Sequence, residues 1–156
     1  MEVRYRDLSV QGSQENELLR AVDKVLTHGQ ILLGPEVKEF ENTVLKNNGT
    51  KYAVGVGCGT DAIFLSLKAL GVGAGDEVIT TSLSWIATAN AIVSCGAKPV
   101  FVDIDDDLNI DPNVIENHIS EKTRAIIPVH FTGRLCKMKK ILDIAKEKNL
   151  HVIEDA

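Results

Sequence analysis

Residues 51–81 read KYAVGVGCGTDAIFLSLKALGVGAGDEVITT, and the architecture of the chain follows from them. The apolar run Tyr52–Val56 is short and β-branched, which predicts a strand. Glycines 55, 57 and 59 interrupt it. Thr60–Leu70 then carries apolar residues on most faces, which predicts a buried helix, and Gly71 closes it. A second short apolar run, Val78–Thr81, predicts another strand. Strand, glycine turn, helix, glycine turn and strand make a βαβ unit, whose crossover implies parallel pairing.

The alternation continues downstream. Strands are expected at Pro99–Val102, Ala125–Val129 and Val152–Ile153. Helices are expected at Trp85–Ser94, closed by Gly96, at Pro112–Ile119 after an Asp111 cap, and at Lys137–Lys148. Upstream, residues 1–12 read as an irregular or extended arm. Ser13 precedes a helix over Gln14–Leu26, with Leu18, Leu19, Val22, Val25 and Leu26 at helical spacing and Gly29 as its stop. Gly34-Pro35 opens a second helix, because proline suits a first turn. The fold class is therefore α/β, three-layer, with a mostly parallel sheet covered on both faces. The last strand has no helix after it, and a parallel sheet is normally covered on both faces. The chain accordingly reads as truncated.

The composition agrees with this. The 156 residues are 44% hydrophobic and 25% charged, and the net charge is −5. Those values exclude disordered and collagen-like classes. There is no basic stripe, so a nucleic-acid partner is not expected. Three cysteines, Cys58, Cys95 and Cys136, form no C-x-x-C pair, which argues against a disulfide framework or a structural zinc site. The N-terminal residues are too charged for a signal peptide. No apolar run approaches a membrane span. A cytoplasmic location is the expectation.

Ligands of open α/β sheets bind beyond the carboxyl ends of the strands. Gly55-Val56-Gly57-Cys58-Gly59-Thr60-Asp61 stands at one such end and opens a helix. Free N–H groups of Thr60, Asp61 and Ala62, with the Thr60 hydroxyl, would suit a phosphate. The alternative is a tight turn capped by Thr60. G-x-G-x-x-G would need glycine at position 60, and G-K-[ST] is absent, so neither the Rossmann nor the P-loop motif is present. Trp85, the only tryptophan, stands past a strand end at a helix start. It is either a core residue or a flat plate for a flat ligand. Asp155 ends the last strand, where a carboxylate could hold a proton on a ring nitrogen or simply be solvated. Glu154, one residue away, should point to the other face.

Other polar residues point to less. Asp105, Asp107, Asn109 and Glu116 fall at calcium-loop spacing, but Ile110 occupies the glycine position and a strand precedes the loop, so no metal is expected. The four histidines show no ligand spacing; His130, at a strand end, could touch a ligand.

A phosphate cradle, an aromatic plate and a strand-end aspartate are together what pyridoxal 5'-phosphate (PLP) requires. The sequence resembles the DegT–StrS family of PLP-dependent sugar-nucleotide aminotransferases. The resemblance runs through GPEVKEFE, KYAVGVGCGTDAIFLSLKALGVGAGDEVITT, WIATANAIVSCGAKPVFVDID, LNIDPNVIE, TRAIIPVHFTG and HVIEDA, nearly the whole chain from about Gln30. It implies the PLP-dependent transferase fold of type I, with residues 1–34 as an N-terminal arm and helix and 35–156 as the N-terminal portion of the large domain. The rest of that domain and a C-terminal small domain would be absent. It also implies a homodimer with shared active sites.

Carried over by position, the resemblance assigns Gly59, Thr60 and Asp61 to the cofactor phosphate, Trp85 to the pyridine ring and Asp155 to the pyridine nitrogen. Cys58 departs from the family's usual serine or asparagine, and Cys136-Lys137-Met138-Lys139 is more basic than the usual loop. The implied catalytic lysine, which would form the Schiff base, lies beyond Ala156, so no residue of this chain is assigned as catalytic and the chain alone is expected to be inactive. The implied reaction moves an amino group from an amino acid, usually glutamate, to a nucleotide-linked keto sugar. Alternatives are a sugar dehydratase of the same family and a non-catalytic α/β nucleotide-binding or regulatory module.

Overall fold

Glycine and proline bound the helices much as the sequence predicts. The structure is a computed structural model and describes residues 8–156. The expected arm therefore lies outside the described residues up to residue 7, and residues 8–11 form neither helix nor strand. The chain divides into two compact units, one ending at Gly55 and one spanning Val56–Ala156.

In the first unit, α1 (Ser13–His28) ends on Gly29, whose φ of 74° is the left-handed conformation glycine adopts without strain. Ser13 is the first helical residue, and Gly12 occupies the cap position instead. α2 (Pro35–Asn48) begins with proline in its first turn, as expected. Gly34 admits no other residue easily, because a Cβ there would lie 2.6 Å from the Gln30 carbonyl oxygen. Glu36 accepts from Lys24 at 3.0 Å, tying α1 to α2. The apolar stripe of α1 is largely solvent-exposed, with Leu19 and Leu26 each more than half exposed, whereas on α2 Val37, Val44 and Leu45 are half-buried and Phe40 is exposed.

The expected strand at Tyr52–Val56 does not form. These residues have strand propensity but no neighbouring strand among the described residues, and propensity without a ladder partner does not make a strand. Tyr52 is 86% exposed, and Val54 is also exposed.

The second unit contains the sheet. Four strands, β1 (Glu77–Thr81), β2 (Lys98–Val102), β3 (Thr123–Ile127) and β4 (His151–Val152), lie in the order β2-β1-β3-β4. All pairs are parallel, as predicted; Ile79 stands opposite Val100 on one side and Ile126 on the other. β2 is an edge strand, which explains how it tolerates Pro99. β3 starts and ends two residues before its expected limits.

Three helices cover the sheet: α3 (Gly59–Ala69), α4 (Ile86–Ser94) and α5 (Met138–Glu147). Alternation along the strands sends Val78, Ala125 and Ile127 to one face, into a core with Ile63 and Leu67 of α3 and Ala91 and Ile92 of α4. Ile79, Val102 and Ile126 point to the other, against Ile141, Ile144 and Ala145 of α5. The three-layer α/β prediction is correct for this unit. The helix expected at Pro112–Ile119 is instead a single 3₁₀ turn at Ile115–His118. Asp111 is not its cap: that position falls to Val114, with no side-chain bond, while Asp111 accepts the Asn113 N–H at 2.8 Å in a turn ahead of the segment. Ile115, at the start of the 3₁₀ turn, is buried in the core beside α5.

Candidate active site

α3 and α4 run in the same direction. Lys68 near the end of α3 donates to the Cys95 carbonyl at the end of α4 (3.3 Å), and the Cys95 thiol donates to the Phe64 carbonyl. α4 leaves the carboxyl end of β1, so both helices direct their N-termini to the carboxyl edge of the sheet. Unbonded N–H groups there give each N-terminus a partial positive charge.

At α3 the structure shifts the expected cradle by one residue. Cys58, not Thr60, occupies the cap position. The Ala62 N–H donates to the Cys58 carbonyl at 3.0 Å. The N–H groups left open to a ligand are therefore those of Gly59, Thr60 and Asp61, in place of the Thr60–Ala62 set read from the sequence. A Cβ on Gly59 would meet nothing within 4 Å, so the approach to the cradle is open. A Cβ on Gly57 would stand 2.8 Å from Asp61 Oδ2, so the Asp61 side chain folds back over the turn.

Trp85 occupies the cap position of α4 in extended conformation and is 76% exposed. It belongs to neither apolar core of this unit. Beside it a small cavity of 120 Å³ is lined by Thr80, Thr81, Ser84, Trp85, Thr88 and Phe101. A larger hollow of 480 Å³ runs along α1 and contains none of the strand-end residues.

Asp155 extends the β3–β4 ladder past β4 itself. Its N–H donates to the Pro128 carbonyl (3.0 Å), and its carbonyl accepts the His130 N–H (2.9 Å). Its carboxylate Oδ2 accepts the Thr88 hydroxyl at 2.6 Å. Thr88 is itself tied to Ser84 Oγ at 2.9 Å, and its N–H donates to the Trp85 carbonyl at 3.2 Å. Asp155 Oδ1 has no hydrogen-bond partner among the described residues. Trp85 and Asp155, far apart in sequence, are thus joined through one threonine.

Glu154 diverges from Asp155, as strand alternation predicts. It accepts from His130 Nε2 at 3.0 Å, while the Cys136 N–H donates to His130 Nδ1 at 3.4 Å. Since Nδ1 accepts, the ring proton stands on Nε2 and is donated to Glu154. His130 is therefore occupied in joining β3's loop to the chain after β4, and its side chain is 11% exposed. Cys136 donates its thiol to the Val129 carbonyl at 3.1 Å. Burial, reinforced by the negative charges of Asp107 and Glu154, pushes that thiol up to about 11.

The acidic loop folds on itself. Asp103 Oδ1 accepts the Ile104 N–H, Asp107 accepts the Asn109 N–H, and Asp105 pairs with Lys137. The hydrogen bond from Lys137, then that from the Asp106 N–H, hold the Asp105 carboxyl below its ordinary range.

Sequence reasoning missed Thr88, its link to Ser84, and the loop-bridging role of Asn109, which it weighed only as a calcium-loop position. Thr88 had one legible signal: it falls on the stripe Thr88, Ala91, Ile92 and Cys95, a polar residue on a buried helical face. Asn109, 1% exposed, uses its amide on the next loop, Nδ2 donating to the Arg134 carbonyl (3.0 Å) and Oδ1 accepting the Phe131 N–H (3.1 Å).

Comparison with known proteins places the chain in a family. The chain is 48% identical over its whole length to a Geobacillus stearothermophilus protein described as a pleiotropic regulatory protein, and spans 42% of that relative. It is 42% identical, over 99% of the chain and 44% of the relative, to UDP-2-acetamido-2-deoxy-3-oxo-D-glucuronate aminotransferase of Pseudomonas aeruginosa. The crystal structure of NtdA from Bacillus subtilis with bound cofactor PMP superposes with a TM-score of 0.91 at 37% identity, covering 94% of this chain and 34% of NtdA. The chain thus spans less than half the length of these relatives. Residues 13–156 match the DegT/DnrJ/EryC1/StrS aminotransferase family, and the chain belongs to that family.

Proposed function

We propose that the protein carrying this chain is a PLP-dependent aminotransferase that moves an amino group from an amino acid, glutamate, to a nucleotide-linked keto sugar. The observation that carries this reading is the Thr88-held carboxylate of Asp155, joined through the same threonine to an exposed Trp85. The residues fit the cofactor. An anionic phosphate suits the open N–H groups of Gly59, Thr60 and Asp61 at the start of an 11-residue helix, with the Thr60 hydroxyl as a further donor. Trp85 offers a flat apolar face to an aromatic ring. Asp155, with Oδ1 unpartnered, offers an acceptor to a protonated pyridine nitrogen. Bound there, the cofactor would supply an electron sink and a carrier for the amino group.

The chain's own residues bind and orient. The α3 N-terminus holds negative charge, Trp85 limits tilt of the ring, and Asp155 keeps a proton on its nitrogen. No lysine of this chain is assigned a covalent role. We further propose that residues 35–156 belong to the cofactor-binding large domain of a homodimer with shared sites.

The test is absorbance of the full-length protein with added PLP, followed by mass spectrometry of mixtures with a UDP-linked keto sugar and glutamate, alanine or aspartate as donor. The expected outcome is a visible band lost in Asp155→Ala, and an amino sugar formed best with glutamate. A colourless protein forming no amino sugar would refute the proposal. It would favour a regulatory role, the description carried by the Geobacillus relative.

A further inference from the structure

We infer that Thr88 is a positioning residue for the cofactor, through a one-way hydrogen-bond relay from Ser84 to Thr88 to Asp155. This rests on the reading of Asp155 as the partner of a pyridine nitrogen. The direction of the relay follows from counting protons. An ionised carboxylate only accepts, so the 2.6 Å contact is the Thr88 hydroxyl donating to Asp155 Oδ2. A hydroxyl has one proton. The 2.9 Å contact between Ser84 and Thr88 must then be Ser84 donating to Thr88.

The relay fixes three things. It occupies Oδ2, leaving Oδ1 as the oxygen free to accept from a ligand. It fixes the rotation of the carboxylate, because Thr88 is 2% exposed and cannot move off its helix face. It also ties the carboxylate to the aromatic plate, since the Thr88 N–H donates to the Trp85 carbonyl. A displacement of the α4 N-terminus therefore moves the plate and turns the carboxylate together. Hydrogen bonds to a charged acceptor are the stronger class, so the link is not a minor one.

Thr88→Val keeps the shape and removes the hydroxyl; Thr88→Ser keeps the hydroxyl. Both would be made in the full-length protein, with Ser84→Ala beside them. PLP binding is followed by spectral titration. Protonation of the ring is read from the ¹⁵N resonance of PLP labelled at its pyridine nitrogen. Loss of one hydrogen bond to a charged group predicts PLP binding about tenfold weaker in Thr88→Val. Its ¹⁵N resonance should move toward the unprotonated position. Thr88→Ser should stay within about twofold of the parent, and Ser84→Ala should show a smaller loss in the same direction. If Thr88→Val does not fold, the Ser84→Ala resonance decides: a shift supports the relay and an unmoved resonance overturns it. Thr88→Val with parent-like affinity and an unmoved resonance overturns it, as does Thr88→Ser failing as badly as Thr88→Val. A parent protein that binds no PLP overturns the aminotransferase reading and this inference with it. A parent that binds while Thr88→Val is unaffected overturns this inference alone.

Discussion

Replacing Asn109 with alanine should loosen the loop that follows β3 without unfolding the sheet. Asn109 bridges two segments with its amide, donating to the Arg134 carbonyl and accepting the Phe131 N–H. Its backbone is also engaged, its N–H held by Asp107 and its carbonyl accepting the Asp105 N–H at 2.9 Å. The substitution removes two side-chain bonds of ordinary length and leaves their backbone partners to find water. Each net bond contributes roughly 1 kcal/mol, and each stranded partner adds up to about 1 kcal/mol if water does not reach it. The sum is about 2–4 kcal/mol, drawn from the local opening of residues 130–134. Hydrogen exchange read by mass spectrometry on peptides covering 129–136 measures it directly. The Phe131 amide should exchange roughly 30- to 1,000-fold faster, since each 1.4 kcal/mol is tenfold in population. Exchange in β1 should be unchanged. Unaltered Phe131 exchange would refute the idea that this asparagine clasps the loop, and equal acceleration in β1 would show global destabilisation instead.

Four further outcomes follow from the packing and charges. Leu67→Ala deletes a fully buried side chain between α3 and the sheet and should cost about 3–5 kcal/mol in urea unfolding; a cost below about 1 kcal/mol would show that the α3 side of the core is not close-packed. Ala91→Leu overpacks the stripe one turn beyond Thr88, so besides about 1–3 kcal/mol of stability it should reproduce the weaker PLP binding of Thr88→Val; parent-like binding would contradict the coupling. Glu77 accepts the Ser120 hydroxyl and pairs with Lys98, in that order lowering its pKa below the ordinary 4.5. Its contribution is therefore present above about pH 4.5 and lost as pH falls through the folded value, so Glu77→Gln should make the acid loss of stability shallower, and an unchanged slope would contradict it. In native protein at pH 8, a thiol reagent followed by peptide mapping should label exposed Cys58 and spare Cys136, whose buried thiol stays protonated; labelling of Cys136 at a comparable rate would contradict its burial.

The sheet was legible because its signals are local. Val78–Thr81 and Pro99–Val102 are short apolar runs bounded by glycine and charge, and the parallel pairing follows from the helices between them. Strand alternation predicts that the two final carboxylates diverge, and they do: Asp155 meets Thr88 of α4 and Glu154 meets His130, partners that alternation does not name. The Tyr52–Val56 error has the opposite cause. A strand is defined by its neighbour, and nothing in those residues says whether a neighbour is there. The cap of α3 was misplaced by two residues because Thr60 is the better capping residue by type, whereas the backbone turns at Cys58. The roles of Thr88 and Asn109 were missed because each acts through a partner at least 22 residues away, a relation that composition and spacing do not carry.

Thr88 reaches Asp155 only because the start of α4 lies close to the chain that follows β4. Threonine's hydroxyl stands only one bond beyond Cβ, so it bridges two elements only where their backbones approach closely, and the 2.6 Å contact with Asp155 Oδ2 records that approach. Two features hold it. The buried face of α4, with Thr88, Ala91 and Ile92, packs into the core that also holds Val78 of β1 and Ala125 and Ile127 of β3. Asp155 in turn is held beside the end of β3 by its backbone bonds to Pro128 and His130. A core substitution that lifts α4 from that face therefore lengthens the contact between Thr88 and Asp155, so the packing of α4 is part of the site's geometry.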